Sequence, residues 1–384
     1  LPASVNEDSG NPVSTVNRST FIPVPINEAP RMLKLADRGA IWITDDGSGF
    51  SAELCSLLGA AGHTVQMVTI EEALLNAAES DINGLIICAP STGTDDTFLE
   101  NAFLLLKNSA PALRRAGENG GALFAAISRL DGFFACGTGT SLADPLSGGL
   151  AGLIKTAARE WSEVSCKAID LGLFSDTASE ARAVADEIFL SAPQEVGLTP
   201  AGRTTLEVVD LPALAAPATA PIQAGDVVVI TGGGRGVTTA AAVTLAEAYK
   251  PLLVLLGRSP QQQPEPEWLA SLDDEGLIKR AILEHAAEKL HPREIEEQFR
   301  AVMAGRELRT TLARVAHAGG QAVYRSVDIR DVAAVSRLFD DIRSEYGPIR
   351  GIVHGAGVLA DRLISDKTRE QFALVYGTKV GGLR

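Results

Sequence analysis

The stretch VITGGGRGVTTAA, residues 229–241, decides the fold. A β-branched apolar run, three consecutive glycines, an arginine and then an alanine-rich segment read as strand, tight turn and helix. A turn of this kind presents backbone N–H groups and a helix N-terminus to a diphosphate. It lacks the third glycine of a strict G-x-G-x-x-G; its form is T-G-x-x-x-G-x-T, with Thr238 at a position usually held by glycine. On this stretch alone, a tight turn that binds nothing is the plain alternative.

Working outward, the second half of the chain alternates apolar runs with helical patterns. VVVITGGG (227–234), PLLVLLGRS (251–259), QAVYRSVDI (321–329) and GIVHGAG (351–357) read as strands running into turns. The first half shows the same alternation in AIWIT (40–44), HTVQMV (63–68), GLIICAP (84–90) and GALFAAIS (121–128), with a clear helix over 98–117. Strand–helix alternation predicts an α/β fold with parallel, doubly wound sheets. The halves read as two tandem Rossmann-like copies, WITDDGSGFSAEL (42–54) standing where the second has VITGGGRGVTTAA and LIICAP where it has IVHGAG. They differ at the turn. The first copy carries Asp45 and Asp46 there, whose charges oppose a diphosphate, so it is expected to be degenerate and the second to bind the nucleotide. The expected divisions are a Pro/Ser/Asn-rich linker at 1–37, a structural subdomain at 38–215, and an incomplete cofactor-binding subdomain at 216–384 with a helical insertion at 260–317. That the record begins with Leu1 suggests a piece of something longer.

The remaining strand tips sharpen the cofactor. Thr231, Gly232, Gly233, Gly234, Arg235, Gly236 and Val237 form the turn and enter the helix. The second strand ends in Gly257, Arg258 and Ser259, where NAD enzymes commonly place an acid to grip a ribose hydroxyl. An arginine there, with Arg235 near, suits the extra phosphate of NADP. Asp328, beside Ile329 at the third tip, is placed to accept from an adenine amino group. Gly355, Ala356 and Gly357 at the fourth let a nicotinamide ribose lie against the backbone. His354 beside them reads as a packed or hydrogen-bonded group at the cofactor, with a general base as the other reading.

Composition excludes several classes. With 46% apolar and 21% charged residues the chain is an ordinary globular mixture, and its net charge of −14 argues against nucleic-acid or anionic-membrane partners. No apolar run reaches the roughly 18 residues of a spanning helix. The four cysteines are widely separated, without metal spacing, and read as reduced core residues of a cytoplasmic protein. The histidines show no ligand geometry, and no metal is expected.

With these residues in view, the second half resembles the short-chain dehydrogenase/reductase superfamily. The two-copy plan resembles the ketoreductase domain of type I polyketide synthases. TGGGRGVT, LLGRSP and GLIKTAAREW…CKAIDLG (152–172) are most similar to synthases of the polyunsaturated fatty acid type. The resemblance covers about residues 38–384. It implies hydride transfer from NADPH to a β-ketoacyl group carried by an acyl carrier protein, among neighbouring synthase domains. It also implies a catalytic serine, tyrosine, asparagine and lysine. Lys379, in a T-K-V-x-G context, matches the lysine; it sits beside a helical stripe of Phe372, Tyr376, Val380 and Leu383 that predicts a largely buried position. A lysine snorkelling from the edge of the stripe is the alternative. Nothing in the chain matches the serine, tyrosine and asparagine, which the family places some two dozen residues further on. Leu359 and Asp361 match the first and last letters of a substrate-side Leu-Asp-Asp motif that marks D-configured (3R-type) alcohols, but Ala360 stands between them. The helices of 260–317 read as additions on the sheet edge, or as a docking face for a neighbouring domain or carrier protein with Trp268 as exposed anchor. A non-catalytic dinucleotide-binding or scaffold domain is the rival reading, and a stand-alone dehydrogenase on a free substrate a third.

Overall fold

The computed structural model of the chain describes residues 18–27, 31–77, 80–137, 142, 144–191, 193–212, 220–234, 236–260, 265–286 and 288–384. They fall into two α/β units. The first holds the described residues up to 212 together with Asp361–Arg369; the second holds those from 220 to 360 together with Glu370–Arg384.

In the first unit the chain runs through β1 (Arg18–Pro25), β2 (Ala40–Thr44), α1 (Phe50–Ala60), β3 (Val65–Val68), α2 (Ile70–Asn76), β4 (Ile82–Cys88) and α3 (Asp96–Glu118). It continues through β5 (Ala122–Ser128), α4 (Gly149–Glu160), β6 (Val164–Leu171), α5 (Thr177–Glu187), β7 (Glu195–Thr199) and β8 (Gly202–Leu211). The sheet order is β1-β8-β7-β6-β5-β4-β2-β3, parallel from β7 to β3 and antiparallel at β8 and β1. Every residue of β4 and β5 is buried, as expected of central parallel strands covered on both faces.

The second unit comprises β9 (Val227–Thr231), α6 (Gly236–Tyr249), β10 (Leu252–Gly257), α7 (Glu267–Ala270), α8 (Glu275–Glu284), α9 (Pro292–His317), β11 (Gln321–Ser326), α10 (Val332–Tyr346), β12 (Ile349–His354) and α11 (Arg369–Tyr376). Its sheet is wholly parallel in the order β11-β10-β9-β12. The order reverses between β9 and β12, and that switch point opens a crevice at the carboxyl ends of the strands. The correspondence of LIICAP with IVHGAG has a topological basis: β4 neighbours β2 as β12 neighbours β9. Among the described residues the first unit has no counterpart of β11 beyond β3, the end of its sheet.

Three expectations need correction. Residues 1–37 are not all linker: Arg18–Pro25 pairs along its whole length with β8, and Leu33 N–H donates to the Phe189 carbonyl at 2.7 Å. Prolines 23 and 25 disguise the strand, yet β1 closes the sheet at its edge, where a missing N–H is tolerated. Residues 216–384 are not one block either. Ile364 is buried in the first unit, its N–H donates to Glu160 at 2.8 Å, and Lys107 Nζ donates to the Lys367 carbonyl at 2.7 Å. Finally, 260–317 is not all insertion. α9 is the crossover that two adjacent parallel strands, β10 and β11, require; α7 and α8 are the additional part. Leu269, Ile278 and Ile282 of those two helices form a small core with Phe299 and Val302 of α9. Trp268 stacks flat on His285, with ring centroids 4.0 Å apart.

Candidate cofactor site

The site is built where two backbone turns interlock. β9 is buried at all five positions and runs into Gly232, whose φ is +71°. A Cβ on Gly232 would lie 2.8 Å from the Gly355 carbonyl oxygen, so the glycine is required both by conformation and by space. Gly355 meets the same constraint from the other side: its Cβ would fall 2.5 Å from Thr238 Oγ1. The absence of a side chain at Gly355 is therefore what leaves room for Thr238 at this turn. Gly355 N–H donates to the Thr231 carbonyl at 3.0 Å, and Ala356 N–H donates to Thr231 Oγ1 at 3.1 Å. His354 Nδ1 lies 3.0 Å from the same hydroxyl, a tie that fits the packed reading of this histidine. Its buried Nε2 has no partner among the described residues.

A cavity of about 400 Å³ opens over this junction, lined by Gly232, Gly234 and Thr238, by Gly257, Arg258 and Ser259, and by Gly355 and Gly357. A smaller one of about 100 Å³ is lined by Thr231, Asp328, Ile329 and Ala356 and shares Gly232, Gly257, Arg258 and Gly357 with it. Residues at or just beyond the tips of all four strands thus line these two cavities. Asp328 is engaged by its neighbour: Arg330 Nη2 meets its Oδ2 at 2.6 Å, and Arg330 Nε meets its Oδ1 at 3.0 Å. The hydrogen bond from Arg330, helped by the more remote charge of Arg258, holds its carboxyl down at about 2.

Other predicted residues fall elsewhere. Gly233 packs on Leu255, Gly236 lines a separate cleft with Thr239 and Arg306, and Val237 is 88% exposed. Arg235 lies outside the described residues. Leu359 is 91% exposed, and Asp361 opens the segment that belongs to the first unit. Lys379 is exposed, not buried on a helical stripe. The chain leaves α11 through a π turn at Gly377–Gly381, which breaks the 3.6-residue period, and the buried residue of that turn is Thr378. Lys379 nevertheless reaches the site. Its Cε and Nζ come within 3.8 and 3.9 Å of where a Cβ on Gly357 would stand.

Sequence reading passed over Ala304 and Leu308 of α9 and Tyr324 of β11, all of which line the larger cavity. The two α9 residues read as part of an insertion. Tyr324 read as an ordinary strand position.

The equivalent turn of the first unit is closed upon itself. Asp46 is buried and accepts from the backbone N–H groups of Ser48 and Ser51 at 3.3 and 3.2 Å and from Ser51 Oγ at 3.1 Å. Arg129 Nη2 lies 3.3 Å from its other oxygen. Burial pushes the Asp46 carboxyl up, but the hydrogen bonds of Ser48 and Ser51 and the charge of Arg129 outweigh it and hold the group below its ordinary value. A side chain of the protein therefore takes the amides a phosphate would use. Among the described residues no cluster of three His, Cys, Asp or Glu side chains could hold a metal, and no helix is long and apolar enough to cross a membrane. All four cysteines are free thiols.

Residues 226–384 match the model of the KR domain family. One of the proteins of the polyunsaturated fatty acid synthase of Thraustochytrium sp. is 28% identical over 400 aligned residues, covering 92% of this chain and 14% of that protein. Polyketide synthase PksN of Bacillus subtilis is 38% identical over 65 residues, 17% of this chain and 1% of that protein. The chain therefore spans a small part of these relatives. Among solved structures, A-type ketoreductases from a modular polyketide synthase superpose with a TM-score of 0.65 at 17% identity, covering 95% of this chain and 70% of theirs. A ketoreductase from the macrolactin assembly line gives a TM-score of 0.62 at 16% identity, covering 95% of this chain and 70% of its own. These likenesses show a shared two-unit fold.

Proposed function

We propose, from the premise that residues 226–384 are a KR domain, that the chain is the ketoreductase part of a polyketide or polyunsaturated fatty acid synthase. In this reading it uses NADPH to reduce a β-ketoacyl group borne by an acyl carrier protein, in the cytoplasm and beside other synthase domains. Bound NADPH supplies the hydride that the ketone carbon receives. The chain's own residues bind and orient. Gly232 and Gly234 leave backbone free to approach a diphosphate, and Ile329 with the carboxylate of Asp328 flanks an adenine. Gly355, Ala356 and Gly357 leave a flat floor for the nicotinamide ribose. Lys379, a cation beside Gly357, is positioned in this reading to favour the phenolate of a tyrosine proton donor and to orient the ribose.

The observation that carries the reading is Arg258 at the second-strand tip. Arg258 lines both cavities at the position where an acid would select NAD. A planar fork of donors suits a 2′-phosphate. Titrating the chain with NADPH and NADH tests it: NADPH should bind more tightly, and Arg258→Ala should weaken NADPH by about ten- to a hundredfold while sparing NADH, the range expected for a charge-assisted contact. Equal affinities, unmoved by the substitution, overturn the reading. A non-catalytic dinucleotide-binding role is the rival. Reduction of a carrier-bound β-ketoacyl substrate by the synthase, abolished by Lys379→Met, separates the two.

A further inference from the structure

We propose that Tyr324 is a positioning residue that presets the Arg258–Ser259 segment for the 2′-phosphate of the cofactor, an inference that rests on the NADPH reading above. β11 lies parallel to β10 with Tyr324 opposite Leu255 and Ser326 opposite Gly257. From there the phenol crosses the end of β10. Its Oη donates to the Ser259 carbonyl at 2.8 Å, while Val327 N–H donates to the Gly257 carbonyl at 2.8 Å. The carbonyls on either side of Arg258 are thus held by Tyr324 of β11 and by Val327, the residue that follows the strand. Gly257 makes the crossing possible, for a Cβ there would stand 2.9 Å from Tyr324 Oη and 3.2 Å from its Cε2.

Tyr324 itself is not free to swing. It is 9% exposed and packs in one cluster with Val228, Ile230 and Leu255. Arg258, by contrast, is exposed. A long cation on a segment anchored at both ends loses less conformational freedom on meeting a phosphate than one on a loose loop, and that difference appears as affinity. Tyr324 also lines the larger cavity alongside Arg258 and Ser259. The phenol acts through Arg258; it discriminates between nucleotides only as far as Arg258 does.

The test is a double-mutant cycle in the full chain, with binding of NADPH and NADH measured for the wild type, Tyr324→Phe, Arg258→Ala and the double variant. Tyr324→Phe should raise the Kd for NADPH about three- to tenfold, the scale of one neutral hydrogen bond, and leave that for NADH unchanged. In the Arg258→Ala background the same substitution should do nothing. A rise shared equally by both nucleotides, an unchanged NADPH Kd, or an undiminished effect without Arg258 overturns the inference while leaving the NADPH reading intact. A wild type that does not prefer NADPH overturns both. Should Tyr324→Phe fail to fold, Tyr324→Met, which also removes the hydroxyl, carries the same test with the same expected NADPH-selective loss.

Discussion

Gly232 shows how much one residue position can dictate. Its left-handed φ costs an L-residue about 1–2 kcal/mol, and its missing Cβ leaves room for the backbone of Gly355 and Ala356. Gly232→Ala should therefore both destabilise the second unit and weaken NADPH binding by at least about tenfold, since about 1.4 kcal/mol is already that factor. Thermal melting and nucleotide titration on the same sample check it. The glycines were legible in the sequence because their identity records a backbone constraint. Asp328 was legible as a strand-tip acid, but its pairing with Arg330 was not, because a side chain two residues away on a turn can point anywhere until the turn is fixed. Tyr324, Ala304 and Leu308 were invisible for a different reason. Their side chains reach the cavity only through packing between segments far apart in the chain.

At the level of elements, the strands that read most plainly were β4 and β5, whose unbroken apolar runs follow from burial on both faces. β1 hid behind its prolines, and α9 hid because its length made a crossover resemble an addition. The stripe ending at Leu383 failed where a π turn replaced the helix, since periodicity reports a face only while the period lasts. One device joins elements of the first unit in a way no pattern announces. Glu187 of α5 is 1% exposed and pairs with Lys167 of β6 at 2.6 Å and with Arg203 of β8. Burial pushes the Lys167 ammonium down, against the pull of Glu187. Glu187→Ala leaves a buried lysine uncompensated and should cost the first unit about 3–5 kcal/mol. Chemical denaturation followed in that unit should show the loss, and a change under about 1 kcal/mol would mean that the pair is dispensable.

Across the whole molecule, the chain has built one architecture twice, with a different turn after the first parallel strand of each copy. The plan was readable from alternation alone, since parallel strands joined by helices leave few other arrangements. The charges at one turn suggested a division of labour, but not the arrangement that the turn adopts. Asp45 and Asp46 were expected to repel a diphosphate together. In the structure Asp45 is exposed, and Asp46 turns inward and satisfies the amides itself, with Arg129 as counter-ion. The segment Asp361–Arg369 shows that subdomain limits drawn along the sequence miss a stretch that leaves one unit and packs in the other. Such an excursion costs the chain no special residues, so composition does not reveal it. The most direct measurement is amide hydrogen exchange on the full chain with and without saturating NADPH. Protection should appear at 231–236, 257–259 and 355–357, with 44–51 unchanged; protection at 44–51, or none at the later turn, would contradict the assignment of the nucleotide to the second unit.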